Sequence, residues 1–302
     1  MSWQATVARW VHRTFLRPMF ARTALPEPGR RKYAALSRLS FRDPPLTLGL
    51  PGTVGGVSGL WVENRPQGEA VLLYLHGGAY VIGSAETHRA MVAELAARSG
   101  VRAFVPDYRL APEHPFPAAF EDALAVWEGL VQRGVAPQQI VLGGDSAGGG
   151  LALALLAHLC HAGTPPAGLF AFSPWTDLTF TGASLVTNAA REQVLPAHRL
   201  TEVRSMILGG ARPGDAADPR LSPLQASFPD APPVQIHAAE TEILRDDALR
   251  MRSRLPGAEI RVAGDLIHVW PLMHGILPEA RATLDSTGAF IRGCLGRSSG
   301  ES

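Results

Sequence analysis

The pentapeptide Gly144-Asp145-Ser146-Ala147-Gly148 sets a serine between glycines two residues away on either side. It follows the apolar run Ile140–Leu142 and precedes a helical run that begins near Leu151. A serine on a sharp strand-to-helix turn exposes its hydroxyl, and flanking glycines let other backbone pack closely around it. N–H groups at the start of the helix then face a developing oxyanion. A second pattern, His76-Gly77-Gly78-Ala79-Tyr80, ends the apolar run Val71–Leu75. Backbone N–H groups of Gly77 and Gly78 would join that of Ala147 as an oxyanion hole for acyl transfer. Either pattern alone could be a plain glycine-rich turn; together they point to chemistry. His76 itself reads as a hydrogen-bonding anchor of its loop.

A serine hydroxyl is a weak nucleophile and needs a base, which a third group must orient. In sites built on a serine elbow the chain order is serine, acid, histidine. Beyond the apolar run Val234–Ala238 only His268 and His274 remain. His268 sits in a short loop after the predicted strand Glu259–Ala263, where a base belongs. His274 reads as a lid or helix-entry residue. For the acid, Glu240, Glu242, Asp246 and Asp247 all follow Val234–Ala238. The two aspartates suit the N-terminus of a helix running to Leu255. Spacing does not choose between Glu240 and Glu242.

These residues need a rigid frame. Short apolar runs predict strands at Val71–Leu75, Ala103–Val105, Ile140–Leu142, Leu169–Phe172 and Val234–Ala238. Helical periods fall between them at His88–Arg98, Ala118–Gln132, Leu151–His161 and Asp246–Leu255, with a last helix from Pro278 to about Cys294. Repeated alternation with nearly continuous apolar strands predicts a mainly parallel sheet covered on both faces. Two stretches, 1–45 and roughly 180–230, break the alternation. They are expected to form a helical lid: an N-terminal segment 1–45 ahead of a catalytic domain 46–302 that carries the second stretch as an insertion. Gly209–Pro223 reads as loop.

The whole chain of 302 residues suits one large α/β domain. Its net charge of +1 gives no reason to expect nucleic acid. Charge is nevertheless unevenly placed: residues 1–42 hold nine basic residues and one acid, Glu27, against 19 and 26 in the remainder. Within that segment Trp3, Val7, Trp10, Val11, Phe15 and Met19 recur at helical spacing, with Arg9, Arg13 and Arg17 on another face. Such a stripe suits a lid helix that buries it over the site; an interfacial or targeting helix is the competing reading. Two cysteines, Cys160 and Cys294, make neither a disulfide framework nor a metal cluster, and a reducing cytoplasm is the simplest setting. No apolar run reaches 18 residues, so stable membrane insertion is not expected. Arginine outnumbers lysine 27 to 1, a usage that hints at a GC-rich bacterial genome.

HGGAYVIGS at 76–84, DYRLAPEHPFPAAFEDA at 107–123 and GDSAGG at 144–149 together resemble the bacterial hormone-sensitive-lipase-like esterases. SPWTDLT at 173–179 and IHVWPLMHGILPEA at 267–280 look like that family too, so the likeness covers roughly residues 58–293. It implies an α/β-hydrolase fold and carboxylesterase activity on short to medium acyl chains, without cofactor or metal. Carried over by motif, Ser146 is the nucleophile, His268 the base, and Gly77, Gly78 and Ala147 the oxyanion hole. The family's acid segment falls on Glu242-Ile243-Leu244-Arg245-Asp246, which selects Glu242, a glutamate where aspartate is commoner. Ala79 replaces a third glycine, and the interval from Glu242 to His268 is a few residues short, which suggests a trimmed helix–strand connection. The expected partner is a small-molecule ester; a homodimer stays open. Lactones, amides and carbamates could use the same triad, and a ligand-binding receptor that had lost catalysis is the reading from another class.

Overall fold

The computed structural model describes residues 1–210 and 213–298. Eight strands form one sheet in the order β1-β2-β4-β3-β5-β6-β7-β8. They are β1 (Leu48–Val54), β2 (Val57–Glu63), β3 (Val71–Leu75), β4 (Arg102–Pro106), β5 (Ile140–Asp145), β6 (Gly168–Phe172), β7 (Val234–Ala239) and β8 (Glu259–Ala263). From β4 to β8 every pairing is parallel; β2 joins β1 and β4 antiparallel. Helices α1 (Trp3–Val11), α2 (Arg17–Arg22) and α3 (Glu27–Ser40) precede the sheet. Then come α4 (Ala85–Ser99), α5 (Ala118–Gln132), α6 (Ser146–His161), α7 (Ser184–Thr187), α8 (Leu200–Leu208), α9 (Arg245–Arg250) and α10 (Pro278–Ser298).

The central strands are apolar on both faces because both are covered. Val71, Leu73, Leu75 and Leu142 point to the core shared with α5 and α6. Leu72, Tyr74 and Val141 point the other way, to the layer of α4 and α10. The alternation is the two-residue period of a strand. Helix α6 lies deepest; only His158 and His161 of it are exposed. Its first turn holds Gly148, Gly149 and Gly150, which carry no periodic signal, so it starts five residues before the run at Leu151.

Four features depart from the sequence reading. The β1–β2 hairpin lies where no strand was expected, closed by Gly55 and Gly56 at φ +57° and +79°. Two left-handed central residues are what a two-residue hairpin turn demands. The helix expected over Asp246–Leu255 is α-helical only to Arg250 and ends in a 3-10 turn, Met251–Ser253, so the short connection is a truncated helix. The stretch 209–223 contains 3-10 turns, Pro213–Ala217 and Pro223–Gln225, while residues 211 and 212 lie outside the described set.

The fourth departure concerns α1. Trp3, Val7, Trp10 and Phe15 face solvent, at 73%, 49%, 60% and 57% exposure, so the stripe is not the buried face. Ala5, Ala8 and His12 are buried instead. The two alanines cluster with Leu266, Ile267, Trp270 and Leu277. Small side chains let the helix axis approach that loop more closely than tryptophan would. Arg9 adds an ion pair to Asp265 at 3.0 Å, and Ser2 is bonded to Glu279. From His12 to Leu16 the helix is wider, π-type, before α2 resumes.

Candidate active site

The elbow forms where β5 hands over to α6. Ser146 has φ +51°, in the left-handed region that side chains rarely adopt. The turn is held because α6 packs directly beneath the end of β3. A Cβ on Gly148 would lie 2.1 Å from the Leu75 carbonyl oxygen, and one on Gly144 only 2.4 Å from that of Gly148. The Trp175 N–H donates to the Ser146 carbonyl at 2.9 Å and fixes the elbow from the β6 side. Ala79, Tyr80, Ser173 and Val269 also have positive φ, and all lie in the loops around this serine. Strain of this kind collects where the surrounding structure over-determines a functional geometry.

His268 reaches the serine from the loop after β8. Its Nε2 lies 3.0 Å from Ser146 Oγ, and its Nδ1 lies 3.1 Å from Glu242 Oε2. Glu242 is buried on the loop after β7, where its other oxygen accepts from Ser173 Oγ at 2.7 Å and from the Ala239 N–H at 3.0 Å. Ser173 Oγ also accepts the Val269 N–H at 3.2 Å, so one hydroxyl ties the acid to the residue after His268. Burial works against charge on His268, but the hydrogen bond and charge of Glu242, with Glu192 and Asp145 behind it, raise its pKa overall. The other carboxylates lie elsewhere. Glu240 pairs with Arg245 at 2.7 Å, and Asp246 accepts from the Ser184 N–H at 2.9 Å. Asp247, expected as a helix charge, accepts the N–H groups of Thr176 and Asp177 and so holds the SPWTDLT loop. His274 lies beside Glu94 at 3.6 Å, outside the constellation.

The loop at 76–80 wraps the opposite side of the elbow. His76 stacks on Tyr108 with ring centroids 4.3 Å apart, and burial, then the charge of His88, depresses its pKa to about 3. It is a neutral anchor, as its place in the sequence suggests. Tyr108, from the DYRLAPEHP motif, donates its hydroxyl to the His76 carbonyl at 2.6 Å. Asp145, the residue before the serine, is buried and accepts from Tyr74 Oη at 2.8 Å and from the Gly77 N–H at 3.0 Å. Its second oxygen lies 3.4 Å from His88 Nε2. Here the structure departs from the sequence reading, which placed the Gly77 N–H in the oxyanion hole: that N–H donates to Asp145. The N–H groups of Gly78 and Ala79 have no protein acceptor among the described residues. That of Ala147 lies in the first turn of α6, where no intrahelical acceptor exists. Pattern alone could not separate Gly77 from Gly78, because both allow close approach and only the partner on Asp145 differs.

Comparison with known proteins agrees with the fold. Residues 72–276 match the α/β-hydrolase fold family. An acetyl-hydrolase of Streptomyces hygroscopicus is 39% identical over 249 residues, covering 81% of this chain and 82% of the relative. The crystal structure of an esterase from the bacterial hormone-sensitive lipase family superposes with a TM-score of 0.90 at 36% identity, covering 98% of this chain and 99% of the other. The chain belongs to the bacterial hormone-sensitive-lipase-like esterases. EstE5, in crystals soaked with p-nitrophenyl butyrate, is similar to it at 34% identity and a TM-score of 0.90, covering 98% of this chain and 100% of that one.

In this hormone-sensitive-lipase-like esterase the elbow depends on Gly148 having no side chain. Gly148→Ala drives a methyl group into two backbone carbonyls and must displace either α6 or β3. We expect esterase activity to fall by at least about 10²-fold, since a displacement near 1 Å suffices for that. Turnover measured beside a thermal melt checks it; unchanged turnover would mean that the elbow tolerates movement.

Proposed function

We propose that this esterase hydrolyses small carboxylic esters, with short to medium acyl chains, through an acyl-enzyme on Ser146. The observation that carries the reading is the pair of hydrogen bonds in series, Ser146 to His268 at 3.0 Å and His268 to Glu242 at 3.1 Å. His268 Nε2 takes the hydroxyl proton as Ser146 Oγ bonds to the ester carbonyl carbon, and the carbonyl π pair moves onto oxygen. The N–H groups of Gly78, Ala79 and Ala147 receive that oxyanion, with Gly77 acting through Asp145 to set the loop. Collapse breaks the bond to the alcohol oxygen, which leaves with the proton from His268. Water, deprotonated by the same nitrogen, then releases the acid and restores Ser146. Glu242 keeps Nδ1 protonated and stabilises the imidazolium that forms twice per cycle.

Wild-type protein should hydrolyse p-nitrophenyl butyrate and react irreversibly with a serine-directed phosphonate at Ser146. Ser146→Ala should lower turnover by roughly 10⁶-fold, as for triad serines elsewhere. An active Ser146→Ala protein would sink the proposal, and a wild type inert to every ester would favour a ligand-binding receptor. For the acid, Glu242→Gln should lose turnover by roughly 10³-fold or more while folding normally. Glu240→Gln should stay near wild type, because Glu240 faces Arg245. The reverse result would move the acid to Glu240.

Residues 1–45 and the insertion near 180–230 form, in this reading, a cap that sets acyl-chain preference. Support comes from Arg199 in the insertion, which donates to the Phe20 and Thr23 carbonyls at 2.8 and 2.6 Å. Arg30 of α3 likewise donates to the Val81 carbonyl at 2.8 Å, beside the 76–80 loop. Arg199→Ala should change the ranking of p-nitrophenyl esters by chain length while phosphonate labelling of Ser146 persists. An unchanged ranking would leave the two segments a structural role only.

A further inference from the structure

The loop that carries Glu242 is held from above by the insertion between β6 and β7. Ser184 Oγ donates to the Ile243 carbonyl at 2.7 Å and accepts the Asp246 N–H at 3.0 Å. Asn188 Nδ2 donates to the carbonyls of Glu240 at 2.9 Å and of Glu242 at 2.8 Å. Glu192 completes the grip. Its Oε2 accepts the Ile243 N–H at 3.0 Å. Its Oε1 accepts the N–H groups of Gln193, Val194 and Leu195 at 2.8, 2.8 and 3.2 Å.

This carboxylate is 1% exposed, and no basic side chain pairs with it among the described residues. A buried anion without a cation is costly, and here four backbone N–H groups stand in for solvent. Both oxygens must accept, one from each side. A glutamine would turn an N–H toward an N–H on one side, so the site is built for an acceptor-only group.

We infer that Glu192 is a positioning residue for the acyl-transfer step. It locks the Glu242 backbone through Ile243 and sets a fixed negative charge behind the Glu242–His268 pair, so the imidazolium forms against two anions. The inference rests on His268 being the base. Charged groups facing His268 are Glu242 from the β7–α9 loop, Glu192 from the insertion and Asp145 from the end of β5. Asp265, on the His268 loop itself, is paired with Arg9 and Arg191, each at 3.0 Å.

The test is the pH profile of kcat/KM for p-nitrophenyl butyrate in full-length wild type, Glu192→Gln, Asn188→Ala and Glu242→Gln. Its acid limb reports ionisation of the base in the free enzyme. In Glu192→Gln the plateau should fall about tenfold through kcat, with KM little changed. The limb should move about 0.5 toward lower pH, because losing a nearby anion makes the imidazolium easier to deprotonate. Asn188→Ala loosens the same loop without changing charge, so its plateau should fall with the limb in place. A Glu192→Gln limb at the wild-type position overturns the electrostatic role, whatever the plateau does. Should Glu192→Gln not fold, Glu192→Asp keeps the charge but draws it away from Ile243; its plateau should drop severalfold, and a wild-type plateau overturns the inference. If Glu242→Gln stays active, the His268–Glu242 reading has failed; if it is silenced while Glu192→Gln behaves as wild type, only the present inference has.

Discussion

Between the first turn of α6 and the last residues of β3 there is no room for a side chain. The Leu75 and His76 carbonyl oxygens stand 2.1 and 2.3 Å from where a Cβ of residue 148 would be. That contact brings the 76–80 loop alongside the serine and sets the direction in which α6 leaves the sheet. It also forces Ser146 to φ +51°, a conformation that costs an L-residue about 1–2 kcal/mol. The cost is borne because α6 is buried on nearly every side and cannot rotate to relieve it. The strained serine is thus a consequence of packing, with Trp175 and Gly150 closing the other side through the Trp175 carbonyl.

Around that elbow the electrostatics divide into two halves, each built on a buried carboxylate. Asp145 faces the 76–80 loop and holds it through the Gly77 N–H, while the Tyr74 hydroxyl of β3 donates to the same carboxylate oxygen. Glu242 faces the histidine. Among the described residues neither is paired with arginine or lysine; both rely on N–H, hydroxyl and imidazole partners, which are directional. An Arg partner would neutralise the carboxylate that an imidazolium needs. For Glu242, burial and the neighbouring Glu192 raise its pKa while His268 and Ser173 hold it down. Directional partners therefore both hold the carboxylate in place and leave its charge for His268.

Much of this was legible in the sequence where a residue type answers one physical demand. β3 through β7 show as apolar runs because burial on both faces allows little else. Ser146 and His268, proposed as nucleophile and base, stand out because an elbow serine and a late histidine have few places to stand. The β1–β2 hairpin did not show: Gly49, Pro51, Gly52 and Gly59 dilute its pattern, and most of β1 faces solvent. In α1 the periodicity was legible but its orientation was not. An apolar stripe marks a helix, yet the choice of buried face fell to Ala5 and Ala8, whose small size suits the loop beneath them. Gly77 shows the same limit at one atom: composition admits its N–H to the site, and only Asp145 removes it.

The segments that break the strand–helix alternation rest on the two loops that carry Glu242 and His268. Helix α1 packs its alanines on Leu266, Ile267 and Trp270, which flank His268, and Arg9 reaches Asp265 three residues before it. From the insertion, Ser184, Asn188 and Glu192 bind the backbone on either side of Glu242. Both loops leave the C-terminal ends of β7 and β8, and among the described residues no strand lies beyond β8 to steady them. β8 is the edge strand, and none of its five residues is buried. Without outside support such loops would sample several positions, and a histidine displaced by 1 Å loses much of its effect on the serine. The two segments and the Ser146–His268–Glu242 constellation therefore have a physical reason to change together: side chains of the segments steady the loops that carry Glu242 and His268.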